Sequence, residues 1–194
     1  MEKLVMATGN AHKAAEVAQL LDGILEIQTL KDIGCTTDIP ETGNTFEANA
    51  MQKAVYVFEN FNKDCFADDS GLVVDALDGA PGIYSARFAG EPKSDAANNE
   101  KLLQLLANES NRKAKFVCVI ALIFKGEKHL FEGEVQGTIR NSLSGREGFG
   151  YDPLFQPDGY AITFAEMDPA EKNAISHRGR AVAKLIEFLK DELK

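Results

Sequence analysis

The chain has 194 residues, of which 44% are hydrophobic and 26% charged, a composition that is typical of a folded globular protein and excludes a disordered one. Its net charge of −9 argues against sequence-independent binding to nucleic acid, which needs a basic face. The longest apolar run, 116–124, is too short to span a bilayer, so we expect no membrane partner.

The N-terminus lacks the long apolar region and the small-residue cleavage site of a signal peptide. The three cysteines, Cys35, Cys65 and Cys118, are widely spaced and contain no C-x-x-C pair. This pattern predicts reduced thiols rather than a disulfide framework or a zinc site. We therefore expect a cytoplasmic protein.

Residues 3–7 are predicted to form a short strand, and the apolar spacing from Ala14 onward predicts a helix buried on one face. Residues 8–13 (Thr-Gly-Asn-Ala-His-Lys) are then a strand-to-helix turn. The free N–H groups and positive dipole end of a helix attract anions, and Lys13 adds a charge, so this turn is a candidate phosphate site. The alternative is an ordinary helix cap with Lys13 in solvent.

Residues 25–29 alternate like a second strand, and a polar loop leads to a helix that starts near Thr45. Lys53 is predicted to lie off the apolar inner face of that helix. Glu41, in the preceding loop, has two interpretations. It either favours the positive end of the helix dipole, or it is a metal-binding carboxylate, which requires Asp69 to lie close by.

Residues 65–72 run from apolar side chains into two adjacent carboxylates, Asp68 and Asp69, followed by Ser70 and Gly71. We interpret this stretch as the end of a buried strand that holds charge at its tip. Ligands of open α/β sheets bind at the carboxyl ends of strands, and carboxylates suit Mg²⁺. The alternative is a turn, because Asp, Ser and Gly are common turn residues.

The middle of the chain is predicted to contain a tight turn at 79–82, a helix over 95–107 and a hairpin of strands 115–124 and 129–139. The first arm of the hairpin is continuously apolar, which predicts a central, fully buried strand. A hairpin added to strand–helix units makes the sheet mixed.

Residues 144–153 are rich in glycine, so the backbone can approach a ligand closely, and the ring of Phe149 or Tyr151 could stack on a base. The alternative is a flexible loop with one aromatic residue tucked into the core.

Near the C-terminus, Ser176 is a natural N-cap for a helix that carries His177 and Arg178 in its first turn. Cations there oppose the helix dipole, so we expect them to meet an anion or a hydrogen-bond acceptor. The candidate residues together indicate a nucleotide site. They comprise acids for a metal, cations for phosphates, an aromatic ring for a base, and hydrogen-bond donors for an acceptor oxygen at C6 of a purine.

Five stretches, in order, resemble the inosine triphosphate pyrophosphatase family, and the likeness runs from residue 3 to about residue 190. They are Thr-Gly-Asn-x-x-Lys at 8–13, Ala-Asp-Asp-Ser-Gly-Leu at 67–72, Gly-Ala-Pro-Gly-x-Tyr-Ser-Ala-Arg-Phe at 79–88, Phe-Gly-Tyr-Asp-Pro at 149–153 and Ser-His-Arg at 176–178.

The resemblance implies an α/β fold in which a mixed, elongated β-sheet flanked by helices forms two lobes around a central active-site cleft. Residues 1–194 would be one domain without a separable linker, and the protein a homodimer. The implied activity is Mg²⁺-dependent hydrolysis of ITP, dITP and XTP to the monophosphate and pyrophosphate. This reaction keeps deaminated purines out of nucleic acid.

The resemblance also assigns roles. Glu41 and Asp69 are implied to hold the metal, with Asp69 as the proton acceptor that activates water. A bound metal lowers the basicity of its carboxylate ligand, so it stays open whether Asp68 takes one of these two roles. Residues 8–13 and Lys53 are implied to contact the triphosphate, and 149–152 the base. The implied substrate contacts are Thr8, Gly9, Asn10, Ala11, His12, Lys13, Lys53, Ser70, Phe149, Gly150, Tyr151, Asp152, Lys172, His177 and Arg178.

The sequence departs from the family at 46–49, where Phe-x-Glu-Asn is common and this chain has Phe-Glu-Ala-Asn. Glu47 is one position earlier, about 100° round a helix, so it does not simply substitute. Metal binding would then depend more on Glu41, Asp68 and Asp69. Two rival functions stay open: a triphosphatase that releases orthophosphate, and a nucleotide-binding module without turnover.

Overall fold

The computed structural model describes residues 3–192. The strands in these residues are β1 (Lys3–Met6), β2 (Glu26–Thr29), β3 (Cys65–Val74), β4 (Lys113–Phe124), β5 (Glu127–Ile139) and β6 (Phe155–Pro157). The α-helices are α1 (Ala11–Leu21), α2 (Phe46–Phe61), α3 (Asp95–Leu105), α4 (Pro169–Ile175) and α5 (His177–Glu192). Short 3₁₀ turns lie at Asp75–Leu77, Gly82–Arg87 and Phe164–Glu166.

The strands form one sheet in the order β2-β1-β3-β4-β5-β6. β1 runs parallel to both β2 and β3, whereas β5 and β6 are antiparallel. The predicted mixed α/β sheet is therefore confirmed. β4 is an inner strand and is buried without a break from Phe116 to Phe124, as its apolar sequence predicts.

The chain divides into two compact units. The first comprises Met1–Asp69, Cys118–Gly133 and Arg178–Lys194, and the second comprises Ser70–Val117 and Glu134–His177. Each unit has apolar core residues of its own. Two of the four dividing points, after Asp69 and after His177, fall inside sequence motifs that the family resemblance singles out.

In the first unit, helices bury one stripe each against the strands. α1 contributes Val17 and Leu21, and α5 contributes Val182 and Leu185, to a cluster that includes Phe66. These apolar stripes fix both helices, and with them the polar residues at their N-termini.

In the second unit, the core is built around aromatic rings. Phe155 lies 4.6 Å from Phe116 and 5.1 Å from Phe164, measured between ring centroids, at tilted angles that favour aromatic pairs. Leu102 and Leu106 join the same cluster.

One prediction about β3 is wrong. The strand does not end at the acids but continues through Asp68 and Asp69 to Val74. β1 pairs with β3 up to Met6, opposite Phe66, and stops there. Because β3 is longer than its parallel neighbour, the two acids lie just beyond the carboxyl end of β1, without a turn.

Helix boundaries also differ from the prediction. α1 begins at Ala11, inside the predicted turn, so the backbone of Lys13 is already helical. The hairpin between β4 and β5 also differs, since its turn contains only Lys125 and Gly126. Both residues have positive φ, which is typical of two-residue turns that match the twist of the flanking strands. The first difference moves Ala11, His12 and Lys13 from the predicted turn into the first turn of α1.

No helix within residues 3–192 has the length and apolar character needed to cross a membrane. The thiols of Cys35, Cys65 and Cys118 are all free and buried. Burial raises the pKa of Cys65 to about 12, and burial together with the nearby Asp68 carboxylate raises that of Cys118 to about 12.

We expect iodoacetamide at pH 8 to leave Cys65 and Cys118 unmodified in the folded protein, since about one such thiol in 10⁴ is ionised at that pH. Mass spectrometry of the alkylated protein checks this, and urea-unfolded protein, in which all three cysteines should react, is the control. Modification of either residue at the rate of an unfolded cysteine would contradict the assigned burial.

Candidate active site

The turn between β1 and α1 is held by its own side chains. Asn10 Oδ1 accepts hydrogen bonds from the backbone N–H groups of His12 and Lys13, at 3.0 and 3.1 Å, and so caps α1. Thr8 Oγ1 accepts from the N–H of Asn10 at 3.1 Å. The helix-cap interpretation is therefore right for Asn10.

Lys13 does not lie in solvent, which removes that part of the alternative. Its Nζ is 3.0 Å from Asp68 Oδ2, and its side chain is only 14% exposed. The charge at the start of α1 is thus directed toward the acids of β3.

Arg178 lies in the same cluster of charges. Its side chain is 2% exposed, it donates from Nη1 to Glu16 of α1, and its Nη2 is 3.6 Å from Asp68 Oδ2. The structure thus brings Arg178 together with Lys13 and Asp68 of the first unit. Its predicted contact with the base stays a prediction.

Asp68 is ionised in this setting. Burial by itself would raise the pKa of its carboxyl, but Lys13, Arg178 and Lys53 more than offset burial and hold the pKa well below its usual range. Its Oδ1 is buried and has no hydrogen-bond partner among residues 3–192. A buried, charged oxygen without a donor is costly, which suits a site that receives another cationic or donor group.

Lys53 is buried, so the prediction that it lies off the inner face of α2 is wrong. Its Nζ donates to Glu41 and, at 2.7 Å, to the backbone carbonyl of Asp68. Burial alone would lower the pKa of Lys53, but Asp68 and Glu41 raise it above its usual value. A lysine reaches this position because two acids and a carbonyl compensate its charge.

Asp69 is buried and is oriented by Asn49, whose Nδ2 donates to Asp69 Oδ2 at 3.0 Å. Asn49 Oδ1 in turn accepts from the N–H of Gly43 at 2.8 Å. Burial raises the pKa of Asp69, and Lys53, Lys13 and Asn49 reverse only part of the effect. The two neighbouring acids therefore differ: Asp68 is the stronger acid and Asp69 the stronger base.

The oxygen donors of Glu41, Asp68 and Asp69 fit a magnesium ion chemically, because Mg²⁺ prefers carboxylates and water. Within residues 3–192, no three side chains of His, Cys, Asp or Glu are arranged to hold a metal by themselves. Mg²⁺ commonly takes one or two protein carboxylates and completes its shell with substrate phosphates and water. Ser70 follows Asp69 in β3 and is partly buried.

In the second unit, Asp152 and Lys172 fix the glycine-rich loop. Asp152 Oδ2 accepts from the N–H of Phe149 at 3.0 Å and from Lys172 Nζ at 2.7 Å. The Lys172 ammonium also lies 5.2 Å from the ring centroid of Phe149 and 5.7 Å from that of Phe164. Lys172 thus ties the Phe149 ring to the aromatic core.

Gly148 is required beside this pair. Its φ is +74°, and a Cβ there would lie 2.1 Å from Asp152 Oδ2. Tyr151 is buried, and its hydroxyl donates to the carbonyl of Ser85 at 2.6 Å. Of the two candidate rings, the structure therefore places Tyr151 in the core and leaves Phe149 partly exposed.

His177 is the first residue of α5 and follows Ser176, which is extended and precedes the helix as predicted for an N-cap. The imidazole is buried and stacks on Phe116, with ring centroids 4.7 Å apart and planes at 11°. The aromatic core thereby sets the orientation of this donor.

Sequence reasoning missed residues that position the predicted ones. Glu16 is three residues after Lys13 and so lies on the same face of the helix, a spacing that the sequence itself shows. Asn49 is part of the quoted 46–49 stretch, but its bond to Asp69 joins residues 20 positions apart, and no local pattern reveals it. Asp95 and Asn99 of α3, which bond Gly150, were missed for the same reason.

A sequence model of the Ham1 family matches residues 4–188, and this chain belongs to that family. The dITP/XTP pyrophosphatase of Porphyromonas gingivalis is 52% identical over 190 residues, which cover 97% of this chain and 98% of that protein. The dITP/XTP pyrophosphatase of Clostridium perfringens is 52% identical over 204 residues, which cover 100% of both. The solved Ham1 protein of Staphylococcus aureus superposes with a TM-score of 0.90 at 42% identity, over 98% of this chain and 100% of that one.

Proposed function

We propose that this protein hydrolyses the non-standard purine nucleoside triphosphates ITP, dITP and XTP to the monophosphate and pyrophosphate, and so cleanses the nucleotide pool. Family membership supports the reaction, because relatives about half identical over almost their whole length are dITP/XTP pyrophosphatases. The observation that carries the proposal is the pair of unlike acids in β3, with Lys13 and Arg178 on Asp68 and Asn49 on Asp69.

We assign the triphosphate to the turn at 8–13 together with Lys53. Lys13 and Lys53 already face acids in the first unit, so an incoming phosphate would find two ammonium groups held in place rather than mobile on the surface. Preorganised cations of this kind stabilise the charge that develops when phosphate is transferred.

We assign Mg²⁺ to Glu41 and Asp69, with phosphate oxygens and water as further ligands. When bound, the ion would polarise the α-phosphate and neutralise charge on the departing pyrophosphate. Lys53, which donates to Glu41, holds that carboxylate in place.

Asp69 is assigned as the acceptor of the proton from the attacking water. Asn49 fixes its carboxylate, which a general base requires, because the proton must travel along a short, directed hydrogen bond. Asp68 is engaged by Lys13 and Arg178, so its part is to hold these cations.

The base is assigned to the second unit, with Phe149 as the stacking ring and Lys172 and His177 beside it. A C6 carbonyl oxygen accepts hydrogen bonds from such donors. The amino group of adenine would leave donors facing a donor, an unpaired contact that disfavours ATP and dATP. The Arg178 assignment to the base rests on the resemblance alone.

We expect the wild-type protein with Mg²⁺ to release pyrophosphate from dITP and XTP, to release little from dGTP or dATP, and to be inactive in EDTA. The low turnover expected for dGTP, which has the same C6 oxygen as dITP, rests on the family resemblance alone. The expected preference over dATP is about 100-fold, since mispaired buried donors are costly. A coupled pyrophosphate assay on all four nucleotides measures this, and restoring Mg²⁺ after EDTA is the control for irreversible loss.

Other outcomes select the rival functions. Orthophosphate in place of pyrophosphate would make the protein a triphosphatase, and equal turnover of all four nucleotides would contradict the base assignment. Tight binding of ITP without any product would make it a nucleotide-binding module.

We further propose that the protein is a cytoplasmic homodimer. Large apolar side chains that are about half exposed or more among residues 3–192 are available for such an interface. They are Tyr84, Leu105, Leu130 and Leu143. Analytical ultracentrifugation tests the dimer.

A further inference from the structure

The peptide groups of Gly150 are held from a different part of the second unit. The N–H of Gly150 donates to Asp95 Oδ2 at 2.8 Å, and its carbonyl accepts from Asn99 Nδ2 at 2.8 Å. Asp95 and Asn99 both belong to α3, more than 50 residues earlier in the chain. Gly150 lies between Phe149 and Tyr151, so these hydrogen bonds attach the loop to α3 beside the proposed base-stacking ring.

The orientation of the Asn99 amide is determined by its acceptors. Asn99 Nδ2 also donates to the backbone carbonyl of Asp95 at 2.8 Å, and a flipped amide would point its oxygen at two carbonyl oxygens. In this orientation Asn99 Oδ1 is buried and accepts no hydrogen bond from any described residue. A buried acceptor without a donor is unfavourable, so the residue is held there by its two donor contacts.

Asp95 is not needed to start α3. Ser94 is the N-cap, and its Oγ accepts from the N–H of Ala97 at 3.2 Å. The exposed carboxylate of Asp95 is therefore available to Gly150, and its bond to that N–H is charge-assisted.

We propose that Asp95 and Asn99 are positioning residues that set the affinity for the base by fixing the peptide of Gly150, and with it the ring of Phe149. This inference rests on the proposed function, in which Phe149 stacks on the purine. Asp152 and Lys172 hold the same loop through the N–H of Phe149 and its ring. The α3 residues hold the next residue, so the loop is fixed on both sides of the Phe149–Gly150 bond.

The test is Asp95→Ala, with binding of IMP and of inorganic pyrophosphate measured separately by calorimetry in Mg²⁺. We expect IMP to bind about tenfold more weakly and pyrophosphate as in wild type, since a charge-assisted hydrogen bond to the loop is lost. In turnover of dITP, KM should rise about as much, with kcat within about twofold, because ground-state and transition-state binding are lost equally.

Three further variants make the test specific. Asp95→Asn keeps an acceptor oxygen and should restore IMP binding to within about threefold of wild type. Glu100→Ala removes an exposed acid of α3 that does not touch the loop, and should change nothing. Asn99→Ala should weaken IMP binding in the same way, provided that its thermal unfolding shows a folded protein; Asp95→Ala decides the matter if it does not.

Wild-type affinity for IMP in Asp95→Ala, or equal weakening of IMP and pyrophosphate, would overturn the positioning role. If the wild-type protein binds IMP and releases pyrophosphate, and Asp95→Ala behaves in the same way, this inference alone is overturned. A wild-type protein that binds no IMP would overturn the proposed function and this inference together.

Discussion

Replacing Asp69 with asparagine is expected to lower pyrophosphate release from dITP by about 10³-fold, because the substitution removes both a proton acceptor and a proposed metal ligand. The asparagine side chain has the same shape as the aspartate. In the wild type Asn49 Nδ2 lies 3.0 Å from Asp69 Oδ2, and it can still donate to an amide oxygen at residue 69. The fold should therefore survive while the chemistry stops. Steady-state turnover of dITP in Mg²⁺ measures the loss.

Two controls separate chemistry from binding in this experiment. Glu47→Gln removes an exposed carboxylate from the first turn of α2, and should retain wild-type turnover. Calorimetry should show that Asp69→Asn still binds IMP, since the base is assigned to other residues. Activity of Asp69→Asn within tenfold of wild type would remove Asp69 from the catalytic role.

Asp68→Asn is expected to act on stability as well as on activity. It removes a fully buried charge that faces Lys13 and Arg178, and breaking a buried ion pair costs about 3 kcal/mol of unfolding free energy. Urea unfolding followed by circular dichroism measures the change. Asp69→Asn, by contrast, should unfold near the wild-type urea concentration, because burial already disfavours its charged form.

The matched control is a surface ion pair of similar length. Lys3 Nζ lies 2.7 Å from Glu26, but both side chains are about half exposed. Lys3→Ala should therefore change the unfolding free energy by less than about 1 kcal/mol. Equal effects of Lys3→Ala and Asp68→Asn would contradict the view that burial decides the importance of the Asp68 pairs.

Much of the fold could be predicted from hydrophobic pattern alone. The uninterrupted apolar run of β4 identified the buried inner strand, and the apolar stripe of α5 identified the last helix, because burial imposes both patterns directly on the sequence. The β3 boundary was misjudged, since polar residues normally end a strand. Here the lysine and arginine that compensate Asp68 come from positions 13 and 178, beyond the reach of a local pattern.

The residues of the candidate site also fall into those that a local pattern predicts and those that it does not. Residues that bear the chemistry, such as Lys13, Asp69 and Phe149, stand in short motifs and could be selected from sequence. Residues that orient them could not, because Asn49 and Asn99 act through single hydrogen bonds to residues far along the chain. The burial of Lys53 was missed for a related reason: a charged side chain is assigned to the surface unless its partners are known.

The contact between Gly148 and Asp152 restricts how this loop can evolve. Any side chain at position 148 would meet the Asp152 carboxylate, so the glycine can be replaced only after the acid has been lost. The acid cannot be lost first without releasing Lys172 and the N–H of Phe149. Each single substitution is therefore expected to impair the loop, so a tolerated change at one position requires a change at the other.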